Sequence, residues 1–446
     1  MQNKVISPEK SLPEGMRFYL PEQAEIISSL AGRGMKLLEG WGYRPVYVPA
    51  LIPYSTIAAG LGEEQTKNFY KLVDYRGEIL VLRPEMTAAI AHRLSDEQDD
   101  EDVLGRYQYF APVYRHETTQ SGKKREIYQL GAEFLGDSDY ADIEILILAQ
   151  DVISACAGES FEVDIGHTGF LNKLLDEVDI SSPEAEKLKS MLACRDLVGF
   201  RSSCRQFAPE ASERLLKIPE LRGKEEVLDK AEALLSSSDC RPMRQLRKIE
   251  TGLRRADRYE NVYFDLSLVR NLDYYSGMVF EIISPELGYS ICGGGRYDRL
   301  LDKLGRPQVS GRGFAVGLER LRLIRRSRDD NGSRRSPRAV ICFDEMNSFQ
   351  EALEVSRLLQ EKGYQTIMSP GRDSDQLKKD NSSGEEIVLR LEVLGTSGDK
   401  GRYRVFIEND SGFTMQGDDI NCRDSSLITK TEVIKIAEKI IESSTA

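Results

Sequence analysis

Long apolar runs are missing from this 446-residue chain, and with them any segment of the length that crosses a bilayer. The start, MQNKVISPEKSLPEG, lacks the apolar core of a signal peptide. Histidine is scarce: His92, His116 and His167 are the only three, and none stands at metal-ligand spacing from another. The seven cysteines (Cys156, Cys194, Cys204, Cys240, Cys292, Cys342, Cys422) are scattered, odd in number and never arranged as C-x-x-C. That pattern argues against a disulfide frame and a zinc site, and fits reduced thiols in the cytoplasm. Neither a protein-bound metal nor a cofactor is expected. An excess of positive charge is lacking too, since the formal net charge is −12. Chains that grip phosphate backbones usually show a basic face. A global sum does not exclude a local patch, so this weighs only mildly against nucleic acid.

What is present describes a globular chain, 40% hydrophobic and 30% charged, long enough for two or three domains. Apolar spacing predicts a helix over Pro21–Trp41 and a strand over Tyr43–Ile52. Strand-like runs then alternate with turns from Ile79 to Glu133, with a helix at Thr87–Leu94 and an acidic solvated loop at Asp96–Asp102. A helix follows over Asp139–Ala157, then a strand, FEVDIG. Residues of about 167–257 are rich in Leu, Glu, Lys, Arg and Ala at helical period, and read as a helical insertion. Strands return in NVYFDLSLVR, SGMVFEIIS and GYSICGGGRYD, and the helix GLERLRLIRRS closes this part. The polar segment 326–337 reads as a linker. Beyond it, 338–446 reads as a small α/β module: strand RAVICF, a helix to Gly363, strands YQTIMSP, EIVLRLEV and RYRVFIE, and a last helix.

Chemistry is suggested where polar side chains gather on one face of strands whose other face is apolar. In Ile127–Leu135 the two-residue repeat puts Gln129, Gly131 and Glu133 on one face and Tyr128, Leu130, Ala132 and Phe134 on the other. Arg115 and Glu117 share a face of the preceding run, joined to it through the turn TTQSGKK, and Glu85 and Thr87 share a face of VLRPEMT. Any one of these is most simply a solvent-facing residue of a half-wet sheet. As a set, Glu85, Thr87, Arg115, Gln129, Glu133, Arg270 and Tyr275 combine carboxylates, guanidinium groups and neutral hydrogen-bonding groups. A zwitterionic amino acid needs that mixture. The run Gly293–Gly295 lacks the Lys-Ser/Thr of a phosphate loop, so a tight turn or a close backbone approach explains it better. Cys292, beside that run, is the cysteine expected nearest the pocket. His92 and His116 read as satisfied local residues.

These residues resemble a known family. PVYRHETTQSGKKREIYQLGAE is similar to motif 2 of class II aminoacyl-tRNA synthetases, and GRGFAVGLERL to motif 3, with Arg320 at the motif arginine. Pro49 stands at the motif 1 proline. LVRNLDYYSGMVFE and GGGRYD resemble the two histidine-specific signatures of histidyl-tRNA synthetase. The resemblance covers about three quarters of the chain. It implies an α+β fold: a class II antiparallel sheet flanked by helices over 1–325, with the helical insertion inside it, and a degenerate anticodon-binding-like domain over 338–446. By the same resemblance Glu85, Thr87 and Gln129 hold a histidine ammonium, Glu133 and Tyr275 read its imidazole with Tyr297 nearby, and Arg270 and Arg115 face its carboxylate. Arg115, Lys123 and Arg320 stand where an active enzyme meets ATP phosphates.

Two families share this core: the active synthetase and the non-catalytic regulatory subunit of ATP phosphoribosyltransferase. The second partners a short catalytic chain in the first step of histidine biosynthesis and senses histidine. YKLVDYRGEILVLRPEMTAAIAHRL, FEVDIGHTGFLNKLL, SMLACRDLVGF and LKIPELRGKEEVLDKA resemble the regulatory version. Lys123 replaces the usual arginine of the motif 2 turn, a point charge in place of a planar fork. Ile52 stands where a glutamate commonly follows the motif 1 proline. Residues 337–446 hold fourteen Lys/Arg against twenty Asp/Glu, a poor balance for RNA. Retained active-site arginines point the other way. The expectation is a regulatory subunit without catalytic residues, binding histidine, dimerising through motif 1 and partnering a catalytic chain, with no membrane and no tRNA.

Overall fold

The computed structural model describes residues 12–61, 66–95, 105–116, 124–138, 140–158, 160–236, 240–270, 274–327, 338–343, 346–370, 388–397, 400–408, 431 and 433–438. The chain forms two compact units, Met1–Asp329 and Asp330–Ala446.

The first helix, Pro21–Gly40, starts with proline in its first turn, where the missing N–H costs nothing. It buries Ile27, Leu30, Ala31, Gly34 and Leu38 along one stripe. Gly34 lets the helix lie close to the sheet, because a Cβ there falls 2.2 Å from the Leu130 side chain.

In chain order the strands of this unit are β1 (Arg44–Pro45), β2 (Leu51–Pro53), β3 (Lys71–Val73), β4 (Ile79–Leu82), β5 (Gly105–Tyr114), β6 (Glu126–Leu135), β7 (Glu162–His167), β8 (Arg222–Gly223), β9 (Val262–Asp265), β10 (Met278–Ser284), β11 (Tyr289–Arg296) and β12 (Gly311–Gly317). Nine of them form one sheet in the order β1-β5-β6-β12-β11-β10-β7-β9-β8, while β2, β4 and β3 form a small antiparallel sheet. In the large sheet only the β1–β5 and β7–β9 pairs are parallel. The α+β expectation holds, with an antiparallel centre between two parallel pairs.

Helices Pro21–Gly40 and Ala141–Ala157 cover one face of this sheet. Leu130, Ala132 and Phe134 point into that core beside Leu30, Leu146 and Val152, as the two-residue repeat of β6 predicts. Between β7 and β9 the chain runs through helices Thr168–Glu177, Ser182–Ala193, Leu197–Cys204, Pro209–Leu216, Glu226–Glu232 and Arg241–Arg255, interrupted by β8. His167 precedes the first of these and accepts the Gly169 N–H through Nδ1 at 3.0 Å. In the second unit β13 (Arg338–Phe343) lies parallel between β14 (Gln365–Pro370) and β15 (Val388–Ser397). β16 (Lys400–Glu408) pairs antiparallel with β15, and helix Met346–Glu361 connects β13 to β14.

Several expected elements come out differently. The single strand over Tyr43–Ile52 is two short pieces in two sheets. Pro45, Pro49 and Pro53 lack the N–H that a continuous ladder needs. NVYFDLSLVR is a strand only over Val262–Asp265. VLRPEMT does not continue as a strand past Leu82, because Pro84 interrupts it and helix Thr87–Ser95 begins three residues later. Glu85 and Thr87 therefore sit at a helix start, not on one strand face. The expected acidic loop Asp96–Asp102, Glu117, the turn TTQSGKK up to Lys123, and most of the 326–337 linker lie outside the described residues.

Candidate functional site

The polar side of the central strands opens into a cavity of about 490 Å³. Its wall takes Glu85, Met86 and Thr87 from the start of helix Thr87–Ser95, Tyr109 from β5, Arg115 just beyond it, and Gln129 from β6. Arg270, Tyr274 and Tyr275 come from the segment before β10, Glu281 from β10, Cys292 and Gly293 from β11, Tyr297 from just after it, and Arg320 from helix Leu318–Ser327. Seven of the eight residues assigned to histidine from sequence thus line one cavity.

The eighth, Glu133, lies one layer behind and is 1% exposed. Both its oxygens are engaged by wall residues: Thr87 Oγ1 donates to Oε1 at 2.7 Å, and the Tyr297 hydroxyl to Oε2 at 2.6 Å. Burial pushes its carboxyl up to about 8, against these hydrogen bonds, and the neighbouring Glu85 carboxylate adds to the rise. Glu85 accepts the Ala88 backbone N–H on Oε1 at 2.7 Å, and burial raises its carboxyl as well. A glutamate three residues before Ala88 satisfies one of the free donors of a helix start. Burial holds the Tyr109, Tyr274 and Tyr297 hydroxyls well above their ordinary range, so they serve as neutral donors.

Arg115 donates through Nε to the Pro84 carbonyl at 2.6 Å, fixing its stem beside Glu85. Arg270 donates through Nη1 to the Phe280 carbonyl at 3.2 Å and to Glu281 Oε1 at 3.3 Å, and its guanidinium stands 5.8 Å from the Tyr275 ring centre. Its Nε is buried and has no partner among the described residues. The cavity therefore offers buried acid on one side and an incompletely bonded guanidinium on another.

The glycine run explains how these side chains fit. Gly293–Gly295 lie within β11, paired with Ala315, Phe314 and Gly313, and form no turn. The close approach is real: a Cβ on Gly293 falls 1.6 Å from Arg270 Nη1, and one on Gly294 falls 2.2 Å from the Gly313 carbonyl oxygen. Gly313 makes room for Glu133 in the same way, its Cβ position lying 1.8 Å from Oε2.

Of the residues set against ATP phosphates, Arg115 and Arg320 line the cavity, and Lys123 lies outside the described residues. Arg320 is tied through Nη1 to the Ser290 carbonyl and stands 5.2 Å from the Tyr289 ring centre. Cys292 is buried in the wall. Sequence reading missed Glu281, Tyr109, Tyr274 and Ala193 as wall residues. For Glu281 a signal existed, since it is the lone charge in MVFEIIS. Ala193, from the helical insertion, gives none. Among the described residues no group of three or more His, Cys, Asp or Glu is placed to hold a metal ion. No described helix is long and apolar enough to cross a membrane.

Comparison with known proteins assigns the family. The family model for histidyl-tRNA synthetase matches residues 15–321. An ATP phosphoribosyltransferase regulatory subunit from Halothermothrix orenii is 35% identical over 84% of this chain and 91% of its own. Another, from Shouchella clausii, is 34% identical over 85% and 96%. A crystal structure described as an ATP phosphoribosyltransferase regulatory subunit/histidyl-tRNA synthetase from Bacillus halodurans superposes with TM-score 0.74 at 29% identity, covering 86% of this chain and 98% of that one. A histidyl-tRNA synthetase from Nostoc sp. superposes at 0.76 over 96% and 99%, and at 18% identity it shows the shared fold alone. The chain belongs to the ATP phosphoribosyltransferase regulatory subunits, a non-catalytic family of histidine biosynthesis built on the histidyl-tRNA synthetase core.

Proposed function

We propose that the cavity binds free L-histidine without chemistry, and that its occupancy sets the activity of a catalytic ATP phosphoribosyltransferase chain bound to this one. The observation that carries this reading is that buried Glu85 lines one cavity with Arg270 and Arg115, while buried Glu133 stands directly behind its wall. Carboxylates suit an ammonium and a ring N–H, and a guanidinium suits a carboxylate. Thr87, Gln129, Tyr275 and Tyr297 supply neutral hydrogen-bonding groups from the same wall. Histidine shifts the complex only if it binds its active and less active arrangements unequally. A coupling of about 1–3 kcal/mol gives roughly 5- to 150-fold inhibition. Titration calorimetry of the full chain with L-histidine tests the binding. Absence of binding at millimolar histidine overturns the reading.

The catalytic partner makes the assembly one that transfers a phosphoribosyl group, and histidine feedback acts on that transfer. We place a homodimer on the motif 1 side. Tyr47 is 90% exposed there, beside the two-residue edge strand β1, with Trp41 and Leu51 also exposed. The acidic balance of 337–446 argues against tRNA on the C-terminal module, which we read as a degenerate anticodon-binding-like domain. The synthetase reading draws on Arg115, Arg270 and Arg320, which all line the cavity. Histidine- and ATP-dependent pyrophosphate exchange, with tRNA charging beside it, separates the two. A regulatory subunit shows neither.

A further inference from the structure

Glu281 links the cavity to the helical insertion. Its Oε1 lies 3.3 Å from Arg270 Nη1 in the cavity wall, and its Oε2 lies 4.0 Å from Arg195 Nη2 in the insertion. Arg195 belongs to the turn between helices Ser182–Ala193 and Leu197–Cys204. Its backbone takes φ 57°, the left-handed conformation that closes helix Ser182–Ala193, with the Asp196 N–H donating back to the Met191 carbonyl at 2.8 Å. The Asp196 carboxylate, accepting the Gly199 N–H at 2.9 Å, fixes the following helix start. Ala193, two residues before Arg195, is itself a wall residue of the cavity. One carboxylate therefore stands between a half-buried guanidinium of the cavity wall and an exposed one, 64% accessible, on a separate element.

We propose that Glu281 is a positioning residue that reports cavity occupancy to the insertion, drawing the 193–197 turn onto the cavity when a carboxylate-bearing ligand arrives. Arg270 lines the cavity, so a ligand carboxylate arriving there meets its guanidinium. The arriving negative charge neutralises the guanidinium and repels Glu281, whose second oxygen already faces Arg195. The Arg195 contact is long and exposed, hence weak, and strengthens once Glu281 is released toward it. This inference rests on the histidine reading of the cavity.

Cys194 provides the readout, because it is exposed beside Arg195 while Cys156, Cys204, Cys240, Cys292 and Cys342 are buried. Its rate of maleimide modification, located by peptide mass mapping, is measured on the full chain with and without L-histidine, and calorimetry runs in parallel. Histidine is expected to slow modification of Cys194 by about fivefold or more. Arg195→Gln abolishes that protection while histidine still binds. Glu281→Gln also abolishes it, yet tightens histidine binding, because the competing carboxylate on Arg270 is gone. A purely structural Glu281 predicts weaker binding instead. Histidine binding without protection of Cys194, or protection that survives Arg195→Gln, overturns the relay and leaves the cavity reading intact. No histidine binding at all overturns both.

Discussion

The Tyr297 hydroxyl donates to Glu133 Oε2 at 2.6 Å, and Gly313 provides the space in which that bond forms. β6, β12 and the segment after β11 converge on this one carboxyl, and Thr87 of a separate helix takes its other oxygen. A group so surrounded is set up to lose its proton only when something cationic or hydrogen-bonding joins it.

Glu133→Gln is expected to raise the stability of the ligand-free chain at alkaline pH. The folded carboxyl titrates at about 8, above its ordinary 4.5, so the folded state holds the extra proton between those values. Stability therefore falls as pH rises from about 4.5 to about 8 and then levels. Removing the group flattens that part of the profile and lifts the melting temperature at pH 8.5 by a few degrees. Thermal melts of both proteins from pH 5 to 9 check this, and parallel profiles refute it.

Glu133→Ala should abolish histidine feedback on the complex while assembly with the catalytic chain persists. Inhibition curves and size-exclusion of the mixed chains measure the two separately. A mutant complex that stays equally histidine-sensitive shows that the ligand lies elsewhere.

Gly293→Ala and Gly294→Ala, adjacent in β11, should fail in different ways. The three atoms nearest a Cβ on Gly293 all belong to the movable end of the Arg270 side chain, so the fold survives and histidine binding drops. Losing a charged hydrogen bond of about 1.5–3 kcal/mol corresponds to roughly 10- to 150-fold weaker binding. The Cβ on Gly294 meets the Gly313 backbone and Phe280, so the sheet itself must yield, costing about 1–3 kcal/mol. Melting temperature and calorimetry on both variants distinguish the cases.

Asp142→Ala is expected to destabilise the core by about 3–5 kcal/mol, the range for stranding a buried ionic partner. Arg312 is buried on β12, and its Nε donates to Asp142 Oδ1 at 2.8 Å while Nη1 donates to the Gly136 carbonyl at 2.7 Å. Urea unfolding measures the loss; a change under 1 kcal/mol contradicts the buried-pair account.

The periodicity of β6 announced in sequence that Leu130, Ala132 and Phe134 face a core and that Gln129, Gly131 and Glu133 face something polar, because a strand alternates sides whatever it packs on. Helices Pro21–Gly40 and Ala141–Ala157 were legible for the corresponding reason at period 3.6. The family was legible from motifs spread over three quarters of the chain. Over Tyr43–Ile52 the strand-like spacing misleads, because Pro45 and Pro49 break the ladder that the alternation suggests. Which polar residues share a space was decided by tertiary structure alone. Glu133 is 164 residues from Tyr297 and 46 from Thr87, and no local pattern places it behind the wall rather than in it. Glu281 on β10 and Arg195 in the insertion stand 4.0 Å apart across 86 residues of sequence, a relationship to which local periodicity is blind. Local residue preferences act over a few residues, whereas a binding site is assembled by long-range burial, so the chain's own pattern dictated the faces and the folded sheet chose the neighbours.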